Sequence, residues 1–366
     1  MSTETARSQN PAVLSADPLA ASDGPAVSLD AQHDDPKTLT TTKAQRVHNA
    51  VSSFVNRPSR RASKIPASVQ FPLVVLLSFS LSSVGYSFLN ESTRGELATI
   101  TRAPESSFEV AILALWRILE LGVGWFGNLD GYDLASLNIL SHGPSIFLVA
   151  AFYDISPWTS VACLAIDSLS ALGPFVLLRP LSETHVAHPA VPNSEIITDR
   201  NIKLSTSLLA GLIYGVTLFV AVKTYLGTTF VLYFEGITRV EPALNTKYGA
   251  TAAILLVGLL GLAAQSFIFT PVEATPRTVD PKTKRFDPVT ATLSDTLRWN
   301  LWGFSRKTQV VILRTGLVML ATWVNTYLQC SMTVRGVEPW GAAAYASIWA
   351  IAAMITGIAL EVVGDA

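Results

Sequence analysis

Arg117, Glu120, His142 and Asp167 are the residues of this chain best suited to do chemistry, because each lies inside an otherwise apolar stretch. Arg117 and Glu120 sit near the centre of residues 108–128, FEVAILALWRILELGVGWFGN. A charge at the middle of a membrane helix costs about 2.5–3.5 kcal/mol on insertion scales, so it faces a partner, a cavity or the bundle interior. At a spacing of i,i+3 the two share one helix face. Asp167 lies at a similar depth in 157–178, and His142, in 135–153, titrates near neutrality when unperturbed. An arginine paired with carboxylates can remain charged in a dry bundle. The same set could bind an ion, a proton or a small polar solute, and these four residues are the candidate intramembrane binding cluster. The competing reading is structural, with the ion pairs serving only to set helix register.

Gly143-Pro144 and Gly173-Pro174 place proline inside apolar sequence and are candidate helix breaks. Proline removes a backbone donor and kinks a helix, and broken membrane helices can present backbone groups to a solute. A simple packing kink is the alternative. Gly211 and Gly215 have the small-xxx-small spacing of close helix packing. His185 and His188 form an H-x-x-H, but Pro189 and Pro192 oppose a helix there and no third ligand is adjacent. The Asp130-Gly131-Tyr132-Asp133 turn lacks the ligand count for calcium. No metal or cofactor is therefore expected. There is no G-x-S-x-G elbow, no H-E-x-x-H helix and no P-loop, so no enzyme class is indicated. Cys163 and Cys330 read as inert thiols in or beside apolar segments. Two modification candidates remain: Ser63, after Arg60-Arg61-Ala62, and Asn90, in the Asn90-Glu91-Ser92 sequon.

The elements that must position these residues follow from composition. Only 14% of the 366 residues are charged, where a soluble domain has about 25%. The net charge of −1 offers no basic character for nucleic acid. About 20 apolar residues span a bilayer, and eight segments qualify: 70–89, 108–127, 135–153, 157–178, 206–226, 248–270, 309–330 and 341–362. The expected fold is an all-α integral membrane protein, a bundle of about eight transmembrane helices occupying 66–366. The segments 135–153 and 157–178 should form an antiparallel hairpin. The fifth span either runs on as one long helix to Phe234 or breaks near Gly227.

Residues 1–65 read as a disordered cytosolic tail too poor in apolar residues to fold alone, with a juxtamembrane amphipathic helix over 43–57. Lys and Arg concentrate in the tail, in the segment after 178 and in the basic loop 271–308. The opposite loops hold only Arg94, Arg102, Arg239, Lys247 and Arg335. This asymmetry places both termini in the cytosol. Residues 294–304 should form an amphipathic helix at the membrane surface. The start, MSTETARSQN, lacks a secretory signal, and the long Ser/Thr-rich tail suggests a eukaryotic secretory-pathway membrane: endoplasmic reticulum, Golgi, vacuole or plasma membrane. The expected partners are the lipid bilayer and a small ion or polar solute. Two functions compete. One is a transporter working through the charged cluster. The other is a non-catalytic membrane scaffold or assembly factor acting through its tail and loop.

Overall fold

The computed structural model describes residues 66–153, 155–186, 191–237, 246–276 and 291–365. The tail, with the helix expected over 43–57 and Ser63, lies outside these residues, as do His188 and the centre of the basic loop. The described chain is all-helical, without strands. Its long helices are α1 (Ala67–Ser92), α2 (Ser107–Phe126), α3 (Gly131–Phe152), α4 (Pro157–Leu178) and α5 (Arg200–Tyr233). Then come α6 (246–273), the short α7 (Leu293–Trp302), α8 (Arg306–Thr333) and α9 (Pro339–Asp365).

Local chemistry starts these helices where they start. The side chains of Ser106, Asp130, Ser156, Asp199 and Ser305 each accept a backbone N–H of the first turn of α2, α3, α4, α5 and α8. These caps satisfy donors that have no partner within the helix. Pro157 adds a pre-set φ at the first position of α4.

Among the described residues seven helices, not the expected eight, are long and apolar enough to cross a membrane: α1, α3, α4, α5, α6, α8 and α9. The expected span 108–127 is indeed a helix, α2, but Glu109, Arg117 and Glu120 give it three charges. Its apolar composition alone therefore does not qualify it. The outer faces of the long helices carry exposed Leu76, Leu119, Leu208, Leu212, Leu255 and Ile358. Such an apolar exterior belongs in lipid and marks an integral membrane protein.

The fifth segment is one helix from Arg200 to Tyr233. A π-helical turn at Val222–Leu226 absorbs an extra residue without breaking it at Gly227. A second π turn, Gln265–Phe269, interrupts α6. Such turns shift the hydrogen-bond register, and here the Phe267 carbonyl accepts Arg314 Nη1 at 2.7 Å. Gly211 packs within the chain. A Cβ on Gly261 of α6 would lie 2.2 Å from Ser207 O and 2.9 Å from Gly211 N, so α5 and α6 meet backbone to backbone.

The short connections join at one end of the bundle. Arg102 N–H donates to Thr333 O, Arg335 N–H to Ile100 O, Glu235 N–H to Gly336 O and Glu338 N–H to Tyr233 O. Gly336 has φ +73° and its missing Cβ would strike Glu235 O, so only glycine fits this crossing. We call this the bridge end. The connections after α2, α4 and α6 lie at the opposite end.

Neither Gly-Pro pair breaks its helix: α3 runs through Pro144 and α4 through Pro174. In α3, Pro144 cannot donate to Leu140 O four residues earlier. Thr322 of α8 donates its hydroxyl there instead, at 3.2 Å. The Ser141 carbonyl accepts Asn325 Nδ2, and the Pro144 carbonyl accepts the Tyr345 hydroxyl. The chain thus supplies from other helices what proline removes. Thr322→Val should destabilise the protein by about 1–3 kcal/mol, the cost of a buried unsatisfied carbonyl. In a Pro144→Ala background, where the helix again supplies the missing N–H, the same change should cost much less. Unfolding midpoints of the four proteins test this, and equal costs in both backgrounds would refute it.

Candidate functional site

α3 is the central helix, buried over most of its length, and it brings His142 between the two carboxylates. His142 Nδ1 lies 3.1 Å from Asp167 Oδ2 of α4. His142 Nε2 lies 3.5 Å from Glu120 Oε1 of α2 and makes no hydrogen bond of normal geometry. Arg117 Nη1 contacts Glu120 Oε2 at 3.4 Å. Arg117 Nη2 donates to Asp167 O at 3.1 Å and to Ser170 Oγ at 2.8 Å. The four candidate residues therefore form one contiguous cluster. Arg117 meets the Asp167 backbone rather than its carboxylate.

Sequence reasoning missed a fifth member. Tyr86 of α1 donates its hydroxyl to Asp167 Oδ1 at 2.9 Å. Ser78, Ser82 and Tyr86 follow at i, i+4 and i+8 on one face of α1, a hydroxyl stripe that could have pointed to it.

The cluster forms the floor of a cavity of about 380 Å³. Arg117, His142 and Asp167 line its base, with Ser78, Ser82 and Tyr86 along the α1 wall. Ile146, Val149, Leu97 and Ile100 give it apolar sides, and it rises to Thr101 and Val334 at the bridge end. Cys163, one turn before Asp167, also lines it. Cys330 is buried elsewhere, and both thiols are free. Gly143 packs on Leu256 and Leu260, and Gly173 faces Leu81. Asn90 is exposed in the last turn of α1, at the bridge end.

A second polar group closes the opposite end. Arg314 of α8 contacts both oxygens of Asp133, at 2.7 and 3.2 Å. Arg179 donates to the carbonyls of Gly124, Trp125 and Leu129 at the end of α2. His185 Nδ1 lies 2.7 Å from Asp130 Oδ2. Asp130, Asp133 and His185 bring ligand atoms within 4.8 Å of one another. Arg314 already balances Asp133, and His185 already engages Asp130, so the group reads as an ion-pair layer.

Burial opposes the charged form of Asp130, but His185 and the N–H groups of Asp133 and Ser182 outweigh it and pull the carboxyl down to about 2. Burial likewise opposes charge on His185, and Asp130 outweighs it, so the imidazole is raised above its ordinary value. Both shifts favour the charged pair in the folded state. The stabilisation from His185 is complete below an unfolded histidine pKa of about 6.5 and is lost as pH rises through the raised folded value. That from Asp130 is complete above about 3.9 and is lost as pH falls toward about 2. The gap in melting temperature between the native protein and His185→Gln should therefore be widest from about pH 4 to 6.5 and shrink above that window. A gap that does not vary with pH would show that the pair is not ionic.

No known protein family, curated protein or solved structure matches the chain.

Proposed function

We propose that this integral membrane protein binds a small ion or polar solute at the Arg117–Glu120–His142–Asp167 cluster and moves it across the bilayer. The observation that carries the reading is that a charged cluster inside the bundle is also the floor of a cavity. A cluster serving only helix register would gain nothing from that space. In this reading α2 is an eighth span. Its 20 residues match the roughly 30 Å of hydrocarbon core at 1.5 Å per residue. Arg102 ties its start to the Ser331 and Met332 carbonyls, and Arg179 holds its other end. The bridge end is then the outer side, where Asn90 would be open to glycosylation, and the termini face the cytosol of a secretory-pathway membrane.

Cys163 reports on this directly. In a Cys330→Ser protein, a small impermeant methanethiosulfonate should label Cys163 in intact membranes, as should a Cys placed at Ser82 in a Cys-free background. Labelling at neither position before denaturation would mean a dry cavity, and the transport reading would fall. The second reading, a scaffold, is favoured by α7, which leaves Leu293 and Leu297 exposed on the helix that closes the basic loop. A dry cavity would direct attention there.

A further inference from the structure

Resting on that reading, we infer that the cavity takes a monovalent organic cation, exchanged one for one against a proton carried by His142. Arg117 contributes one positive charge, and Glu120 and Asp167 one negative charge each, so the cluster lacks one positive charge. All three are largely buried, with side-chain exposures of 14%, 9% and 14%. A net charge left in such a place is costly, because protein packs around most of each group and water reaches it only from the cavity side.

His142 can supply the missing charge. As an imidazolium it carries a proton on each ring nitrogen, so Nδ1 can donate to Asp167 at 3.1 Å while Nε2 lies 3.5 Å from Glu120, within charge attraction but without a hydrogen bond. A neutral imidazole has one donor, so one of the two contacts would set lone pair against lone pair. The contact to Glu120 is the longer, so the proton on Nε2 is the less firmly held. No other acid or base competes for this role. The titratable groups around His142 are Tyr86 from α1, Arg117 and Glu120 from α2, and Cys163 and Asp167 from α4. From α8 the neighbours are neutral: Gln329 lines the cavity and Asn325 is bonded to the adjacent Ser141. From α6, Leu256 and Leu260 pack against Gly143.

A cation entering beside Asp167 supplies the same charge from the cavity side. The cluster is then balanced without the histidine proton, which leaves to water, and total charge is unchanged. Cation and proton thus exclude one another. The polar atoms facing the cavity suit a cation rather than an anion. Three of the five N–H donors of Arg117 are taken, by Glu120, Asp167 O and Ser170. Tyr86 gives its only proton to Asp167, leaving its oxygen as an acceptor. Ser78 Oγ is buried on the cavity wall without a partner. An ammonium group brings three donors to these acceptors. The volume of about 380 Å³ and the apolar walls fit a ligand with a carbon body, since small-molecule pockets begin near about 300 Å³. Tyr86 and Phe79 also line the cavity, and aromatic rings attract cations.

The test uses three probes of one size that differ in charge: phenethylamine, 2-phenylethanol and 3-phenylpropionate. Each is added to the full-length protein bearing either Cys163 or the Ser82→Cys reporter, and the labelling rate is measured with and without probe at each pH. Phenethylamine alone should slow labelling. Its half-protecting concentration should fall about tenfold per pH unit where His142 still holds its proton, the slope of one proton released per cation bound. Protection by the carboxylate would overturn the cation class. So would failure of all three probes to protect a site that labels. Equal protection by alcohol and amine, or protection that does not change with pH, would overturn the exchange. In each of those cases labelling itself still upholds a water-filled site. Absence of labelling at both positions is the separate result that removes the transport reading.

Discussion

Replacing Arg117 with methionine should destabilise the protein by about 3–5 kcal/mol, the cost of stripping a buried charge of its partner. The guanidinium holds Glu120 and bridges α2 to the Asp167 carbonyl and Ser170 of α4. Without it, two buried carboxylates share a single histidine. The loss should appear as a lowered thermal midpoint of the detergent-solubilised protein and as poor accumulation in membranes. Adding Glu120→Gln removes the orphaned charge and should recover most of the stability, because the pair together sums to zero. A single variant as stable as the native protein would mean that water in the cavity screens the remaining carboxylates well enough to replace the guanidinium. A double variant no better than the single would mean that the contacts to Ser170 and the Asp167 backbone, rather than charge balance, carry the effect.

Lys307→Met should cost a similar amount, about 3–5 kcal/mol, at the end of the bundle away from the bridge. Lys307 Nζ lies 2.9 and 3.0 Å from the two oxygens of Glu273. The two side chains are only 9% and 2% exposed. Asn193 Nδ2 also reaches the carboxylate, at 3.2 Å. Gly364, at the end of α9, packs so closely that a Cβ there would sit 2.6 Å from Glu273 Oε1. Converting both residues to methionine should return the midpoint close to native, since buried pairs are often replaceable by apolar side chains of similar volume. The double variant should also leave the amine response of the cavity intact. A change in that response would show that this end of the bundle is coupled to the site.

These two clusters separate what was legible in the chain from what was not. Sequence alone located the seven apolar helices of the described residues, because a membrane helix is a local object. About 20 apolar residues define it, and in the structure Ser106, Asp130, Ser156, Asp199 and Ser305 cap five such helices where they begin. Sequence also required Arg117, Glu120, His142 and Asp167 to avoid lipid, because the cost of exposing a charge to hydrocarbon does not depend on which partner is found. It counted α2 as a span, but the three charges of that helix keep it outside the seven that qualify by length and composition.

Partner choice was decided only in three dimensions. Tyr86 joins Asp167 across 81 positions of chain, and His185 joins Asp130 across 55. Thr322 repairs the proline gap in α3 from 182 positions away, so a proline that reads as a break sits in a continuous helix. Such pairings depend on how far each helix is rotated and shifted against its neighbours. Packing of the whole bundle, including the backbone contact at Gly261 and the two π turns, sets those rotations. No periodicity within a single segment encodes them. The cavity has the same origin, since it is the space five separate segments leave between them, and only the assembled bundle brings His142 between two carboxylates at its base.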